Sequence, residues 1–126
     1  MRDYAGQVLG VDETRQLTIK LAFALVRVDN IRVFDLSNFP NIYWKVYPEG
    51  EVPLIPVGHG VRIDILVTNI GTADGVLFMN VYDNDTNVLL GSSTSPIIVV
   101  GGGWGTYFEL GSMPNYNWNL RVEVGH

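Results

Sequence analysis

Odd and even positions differ in kind along most of this chain, and a period of two is that of a strand with one buried face. Trp118, Leu120, Val122 and Val124 take the inward positions of the clearest example, with Asn119, Arg121 and Glu123 facing out. Val61, Ile63, Ile65 and Val67 stand in the same relation to Arg62, Asp64 and Thr68. Trp104, Thr106, Phe108 and Leu110 share one face of another strand, while Ile31–Leu36 and Gly75–Tyr82 alternate as well. Val88–Leu90 reads as a short strand, and Ile97–Val100 as a separate, continuous apolar run.

Near the N-terminus the apolar positions are Leu17, Ile19, Leu21, Phe23 and Leu25, which fits a half-buried strand. Leu17, Leu21, Ala24, Leu25 and Val28 also fall on one helical stripe, with Asp12 placed to cap it. A helix would leave Ile19, Phe23 and Val26 pointing elsewhere, so the strand is favoured and the helix stays the alternative. Gln7–Gly10 is expected to pair with this strand through a turn at Asp12–Arg15.

Turn-forming residues separate these runs. Ser37–Asn41 breaks the chain, Ile42–Tyr47 reads as an edge strand stopped by Pro48, and Pro53 and Pro56 bar a central strand because each lacks a ladder donor. Asp83–Asn87 and Gly101–Gly103 mark two further turns. Seven or eight short strands with no clear helix predict an all-β, two-sheet antiparallel sandwich of the immunoglobulin-like kind. The organisation expected is an N-terminal extension or assembly arm over residues 1–30 and the sandwich over residues 31–126.

Composition narrows the function. The chain has 126 residues, 47% of them apolar and 17% charged, which suits one domain with a real core and some apolar surface left for a partner. It contains no cysteine, hence no disulfide, thiolate metal site or Cys nucleophile. The net charge of −5 lies wholly in residues 31–126, since residues 1–30 carry four basic and four acidic side chains. An acidic body without basic clusters argues against nucleic acid and against anionic membranes. No apolar run approaches the roughly 18 residues of a membrane span. MRDYAGQVLGVDETRQ has no signal-peptide pattern, so either export by the general route is not expected or Met1 is a processed or introduced start.

From Ile31 onward the chain resembles the CARDB family, immunoglobulin-like modules of bacterial and archaeal surface proteins. The resemblance is carried by Pro56–Gly58, Val67–Thr68–Asn69 followed by Ile70–Gly71–Thr72–Ala73, Val81–Tyr82–Asp83, Leu89–Leu90–Gly91–Ser92 and Gly101–Gly103. In the N-x-G-T-A element, Asn69 is expected to bond the local backbone and Gly71 to supply a positive φ. The closing MPNYNWNLRVEVGH is similar to the last strand of related sandwiches in virion and surface proteins of archaea and thermophiles. Two departures stand out: Asp83–Asn87 is longer than the family's usual Asp-Gly turn, and residues 1–30 have no counterpart.

Chemistry is sparse. Asp83, Asp85 and Asn87 have the spacing that opens an EF-hand calcium loop, yet Val88 replaces the sharp-turn glycine and Thr94 the closing glutamate. A solvated polar turn is expected there, without metal or cofactor. Asn84–Asp85–Thr86 is a glycosylation sequon whose use is not expected without export. His59 and His126 have no nucleophile motif beside them, and Gly101–Gly103 lacks the lysine and helix of a phosphate loop. Of the aromatics, Trp44, Trp104 and Trp118 are expected in the core, while Tyr43, Tyr47, Tyr107 and Tyr116 are the candidates to face a partner.

The reading that results is a non-enzymatic structural protein, expected to be a homo-oligomer. Its candidate assembly interface is Leu17, Ile19, Leu21, Phe23, Leu25, Tyr43 and Tyr47, because a neutral arm beside an acidic body suits addition of a strand to a neighbour. A virion surface, as a capsid-decoration or fibre-type accessory, is the expected setting. The alternative is a protein- or glycan-binding module of a cell-surface adhesin or S-layer-like protein.

Overall fold

All four apolar side chains of the Trp118–Val124 stripe are buried, and the residues between them turn outward. The computed structural model describes residues 13–126. Nine strands lie within them: β1 (Thr14–Phe23), β2 (Val26–Asp35), β3 (Tyr43–Tyr47), β4 (Leu54–Pro56), β5 (Gly60–Asn69), β6 (Gly75–Asp83), β7 (Val88–Ile98), β8 (Gly103–Ser112) and β9 (Trp118–Gly125). They form two packed sheets, one ordered β4-β1-β9-β6-β7 and the other β3-β2-β5-β8. The fold is an all-β sandwich. Its core lies between the sheets, with Val61, Ile63, Ile65 and Val67 of β5 facing Leu77, Met79 and Val81 of β6 and the β9 stripe within one cluster.

Every ladder among the described residues is antiparallel except one. β1 runs parallel to β9, in register from Leu17 opposite Trp118 to Phe23 opposite Val124. On its other side β1 meets β4 only at Thr14–Gln16, followed by one bond from Leu17 N–H to the Pro53 carbonyl. β4 is three residues long and lies at the sheet edge, the place where its proline is tolerated.

The segment over Leu17–Val28 is therefore strand and not helix, interrupted by a bend at Ala24–Leu25 where Leu25 has φ +63°. Of the turn expected at Asp12–Arg15, Thr14 and Arg15 are strand residues of β1; Asp12 and Gln7–Gly10 lie outside the described residues. The strand expected from Ile31 begins at Val26, so the expected division after residue 30 falls inside β2. Val88–Leu90 and Ile97–Val100 are not separate pieces: β7 is one strand of 11 residues that takes in Ile97 and Ile98. Proline at position 96 does not break it, since among the described residues β7 is an edge strand paired with β6 alone. The triple glycine makes a turn, with Gly101 at φ +83°.

Candidate functional site

The stripe along β1 changes from core to surface. Leu17 is fully buried, Ile19 and Leu21 pack partly against the core, and Phe23 is 51% exposed. Leu25, past the end of the strand, is 58% exposed. Tyr43 stands on the outer face of the four-stranded sheet, whereas Tyr47 is half-buried against the core beside Ile31. The seven residues expected to form one interface are thus divided among core, bend and an outer face. Leu17 in particular is occupied within its own sandwich, because parallel pairing with β9 turns it inward beside Trp118.

A larger apolar surface gathers where the β1–β2 bend, the loop after β5, the loop after β7 and the end of β9 meet. Hydrogen bonds tie these pieces together: Ala24 N–H to the Val124 carbonyl, Ile70 N–H to Leu25, Gly101 N–H to Asn69, and Val100 N–H to the Asp74 carboxylate. Around this end Phe23, Leu25, Ile70, Val76, Ile97 and Val99 are all exposed, Ile97 at 72%. The Phe78 ring lies over Gly125, and beside it Ala22, Phe23, Leu25 and His126 line an open cleft of ≈ 390 Å³. Of the continuous apolar run Ile97–Val100, only Ile98 packs against the core, and the other three side chains are exposed. A continuous apolar run does not show which neighbour it lacks, and at a sheet edge the missing neighbour leaves it bare.

The outer face of the four-stranded sheet carries a second cluster. Arg62 lies 3.8 Å from the ring centre of Tyr107 and 4.9 Å from that of Phe39, and it pairs with Asp64 at 2.7 Å. The Asp64 hydrogen bond raises the pKa of this guanidinium, against a smaller opposing effect of burial. Phe34 stacks on Tyr43 with ring centres 5.3 Å apart, and Arg32 sits over the same tyrosine. Asn30, Arg32, Asp64, Leu66 and Tyr107 border a shallow cleft of ≈ 310 Å³. Tyr107 and Tyr116 are exposed, as expected, while Trp118 is buried and Trp44 and Trp104 pack on the core.

The Asp83–Asn87 turn is organised by protein donors. Asp83 Oδ1 accepts from Asp85 N–H and Thr86 N–H, and Oδ2 accepts from the Trp118 indole. Arg121 donates to the side-chain oxygens of Asn84 and Asn87, while Asn119 donates to Asp85. The oxygens that an EF-hand spacing would aim at calcium are engaged by a cation, an indole and amides. His59 sits 2.9 Å from the buried Asp35 carboxylate, which also caps the short 3₁₀ turn Leu36–Asn38 through Ser37 N–H. Among the described residues no three His, Cys, Asp or Glu side chains cluster as a metal site would require, and no helix is long and apolar enough to cross a membrane.

Comparison with protein-family models, with curated proteins and with solved structures finds no match to this chain.

Proposed function

We propose that this protein is a non-enzymatic structural module that works by associating with copies of itself in a larger assembly. The observation that carries the proposal is the apolar end around the β1–β2 bend, where Phe23, Leu25, Val76, Ile97 and Val99 are exposed together. Several large apolar side chains left exposed at one end of a sandwich suit a protein contact, since their exposure to water is unfavourable. The CARDB-like resemblance supports a surface-exposed, immunoglobulin-like module, and the setting we favour is the outside of a virion, as a capsid-decoration or fibre-type component.

Light scattering after size exclusion tests this on the full chain over a range of concentrations. A defined oligomer or a growing fibre supports the proposal. A monomer at every concentration would refute it.

A second reading, a protein- or glycan-binding module of a surface adhesin or S-layer-like protein, is favoured by the Tyr43, Arg32, Arg62 and Tyr107 cluster. Aromatic faces beside hydrogen-bonding groups suit sugar rings, although Arg62 already covers one face of Tyr107 and Phe34 one face of Tyr43. A glycan array that stays blank removes the sugar form of this reading.

A further inference from the structure

β1 is held firmly at its start and loosely at its end. Leu17, Ile19, Leu21 and Phe23 share one face, yet burial fades along them until Phe23 is half exposed. Beyond Leu17 the strand has a ladder on its β9 side alone among the described residues. Among the described residues that ladder is also the one parallel pairing, and parallel pairs are slightly weaker per residue.

Seen as an immunoglobulin-like sandwich, β6 and β9 stand where strands C and F stand, and the position beyond β9 is that of a closing strand antiparallel to F. β1 holds this position in the opposite direction. The link from β1 to β2 is only Ala24 and Leu25, and Leu25 takes a left-handed φ of +63° that branched side chains resist. A short hinge under strain favours exchange of the element it holds.

We propose that β1 is an exchangeable donor strand, which leaves its own sheet and pairs antiparallel with β9 of a second copy of this chain. The proposal rests on the self-association reading and supplies its mechanism. Side chains alternate with a period of two, so a reversed β1 still presents Leu17, Ile19, Leu21 and Phe23 to the groove it enters. Release of the hinge frees Leu25 from its left-handed conformation. Charge favours the same partner. Thr14–Phe23 contains Arg15 and Lys20 and no acidic residue, whereas residues 31–126 carry four basic and nine acidic side chains. Each copy offers one strand and receives another at a different site, a heterologous contact that closes into a ring or extends into a filament.

The test locks β1 at home. Thr18 and Asn119 are opposite each other in the parallel register, with their side-chain oxygens 2.7 Å apart, and the chain has no other cysteine to interfere. The double variant Thr18→Cys, Asn119→Cys, oxidised in dilute solution, is followed by light scattering beside the unmodified full chain. Oligomers of the parent, none from the oxidised variant, and their return on adding reductant are the results expected.

An oxidised variant that assembles as the parent does overturns the exchange and leaves association through the apolar end intact. A parent that is monomeric throughout overturns both. If the variant fails to fold or to close its disulfide, a labelled peptide of residues 14–25 is added in excess to the unmodified protein. Exchange requires that the peptide bind and shorten the oligomers, and no binding with unchanged oligomers overturns it.

Discussion

The Phe108 ring lies so close to the bare backbone of Gly91 that a Cβ on Gly91 would come 2.6 Å from Phe108 Cδ1. Gly91 belongs to β7 and Phe108 to β8, the edge strands of opposite sheets, so this contact closes one seam of the sandwich. The glycine of Leu89–Leu90–Gly91–Ser92 is thus required for space. Gly91→Ala is expected to push the ring off its site and cost about 1–3 kcal/mol, as overpacking does elsewhere. Urea unfolding at neutral pH measures it, and a midpoint equal to the parent's would show that the seam yields without strain.

Asn69 is buried, and its side chain makes three hydrogen bonds: Nδ2 donates to the carbonyls of Ala73 and Ile98, and Oδ1 accepts from Gly71 N–H. It binds the loop after β5 to the end of β7. Asn69→Leu keeps the bulk and strands all three backbone groups, so a loss of roughly 2–4 kcal/mol is expected. Hydrogen exchange should quicken at Gly71 first, because its N–H loses its acceptor.

What the chain made legible was facing, and what it hid was neighbours. β5 and β9 were readable residue by residue, since alternation reports which side chains share a face. The local bonding of Asn69 was readable too, but Gly71 was not: its φ is not positive, and glycine stands there because a Cβ would come 3.2 Å from Asn69 Oδ1 and from the His126 ring. The parallel partnership of β1 with β9 joins residues about a hundred positions apart, and no local pattern carries its direction. The exposed stripe on β7 stayed hidden for the same reason, because an apolar run looks alike whether its neighbour is present or missing.

Acid should loosen the β6–β7 hairpin. Burial pushes the Asp83 carboxyl upward, but the N–H groups of Thr86 and Asp85, the Trp118 indole and the Thr86 hydroxyl favour its charged form and leave its pKa below the ordinary 3.8. Asp29 moves the same way, burial opposing and the Thr68 and Arg27 bonds prevailing. A folded-state pKa below the unfolded one gives stability that is complete above the unfolded value and lost as pH falls through the folded one. Urea midpoints should therefore hold above about pH 5 and fall below about pH 4. Asp83→Asn should lose about 1–3 kcal/mol at neutral pH and show a shallower acid decline. A variant that declines in parallel with the parent assigns the acid sensitivity elsewhere.

Calcium should leave this turn unchanged. Arg121 already fills the space between Asn84 and Asn87, and it stacks on Tyr82 at 4.4 Å and pairs with Glu123 at 2.9 Å. A divalent ion would have to displace that guanidinium while recruiting an Asp83 whose oxygens face backbone and indole donors. Calorimetry with calcium on the order of millimolar, the range of weak extracellular sites, is expected to show no binding heat. A saturable signal that disappears in Asp85→Ala would restore the metal reading.

The most exposed apolar residue of the association surface also gives the sharpest substitution there. Ile97 is 72% exposed, lies opposite Val76 on the β7 edge, and makes no contribution to the core cluster. Ile97→Lys should change folding stability by no more than about 0.5 kcal/mol, since it buries nothing new and opens no cavity. Its effect on association should be much larger, because a lysine placed in an apolar contact must be desolvated without a partner. Light scattering and urea unfolding on the same variant separate the two effects: smaller oligomers at unchanged stability locate an interface on this edge. Unchanged oligomers exclude the β7 edge and leave association to the β1 side of the same end.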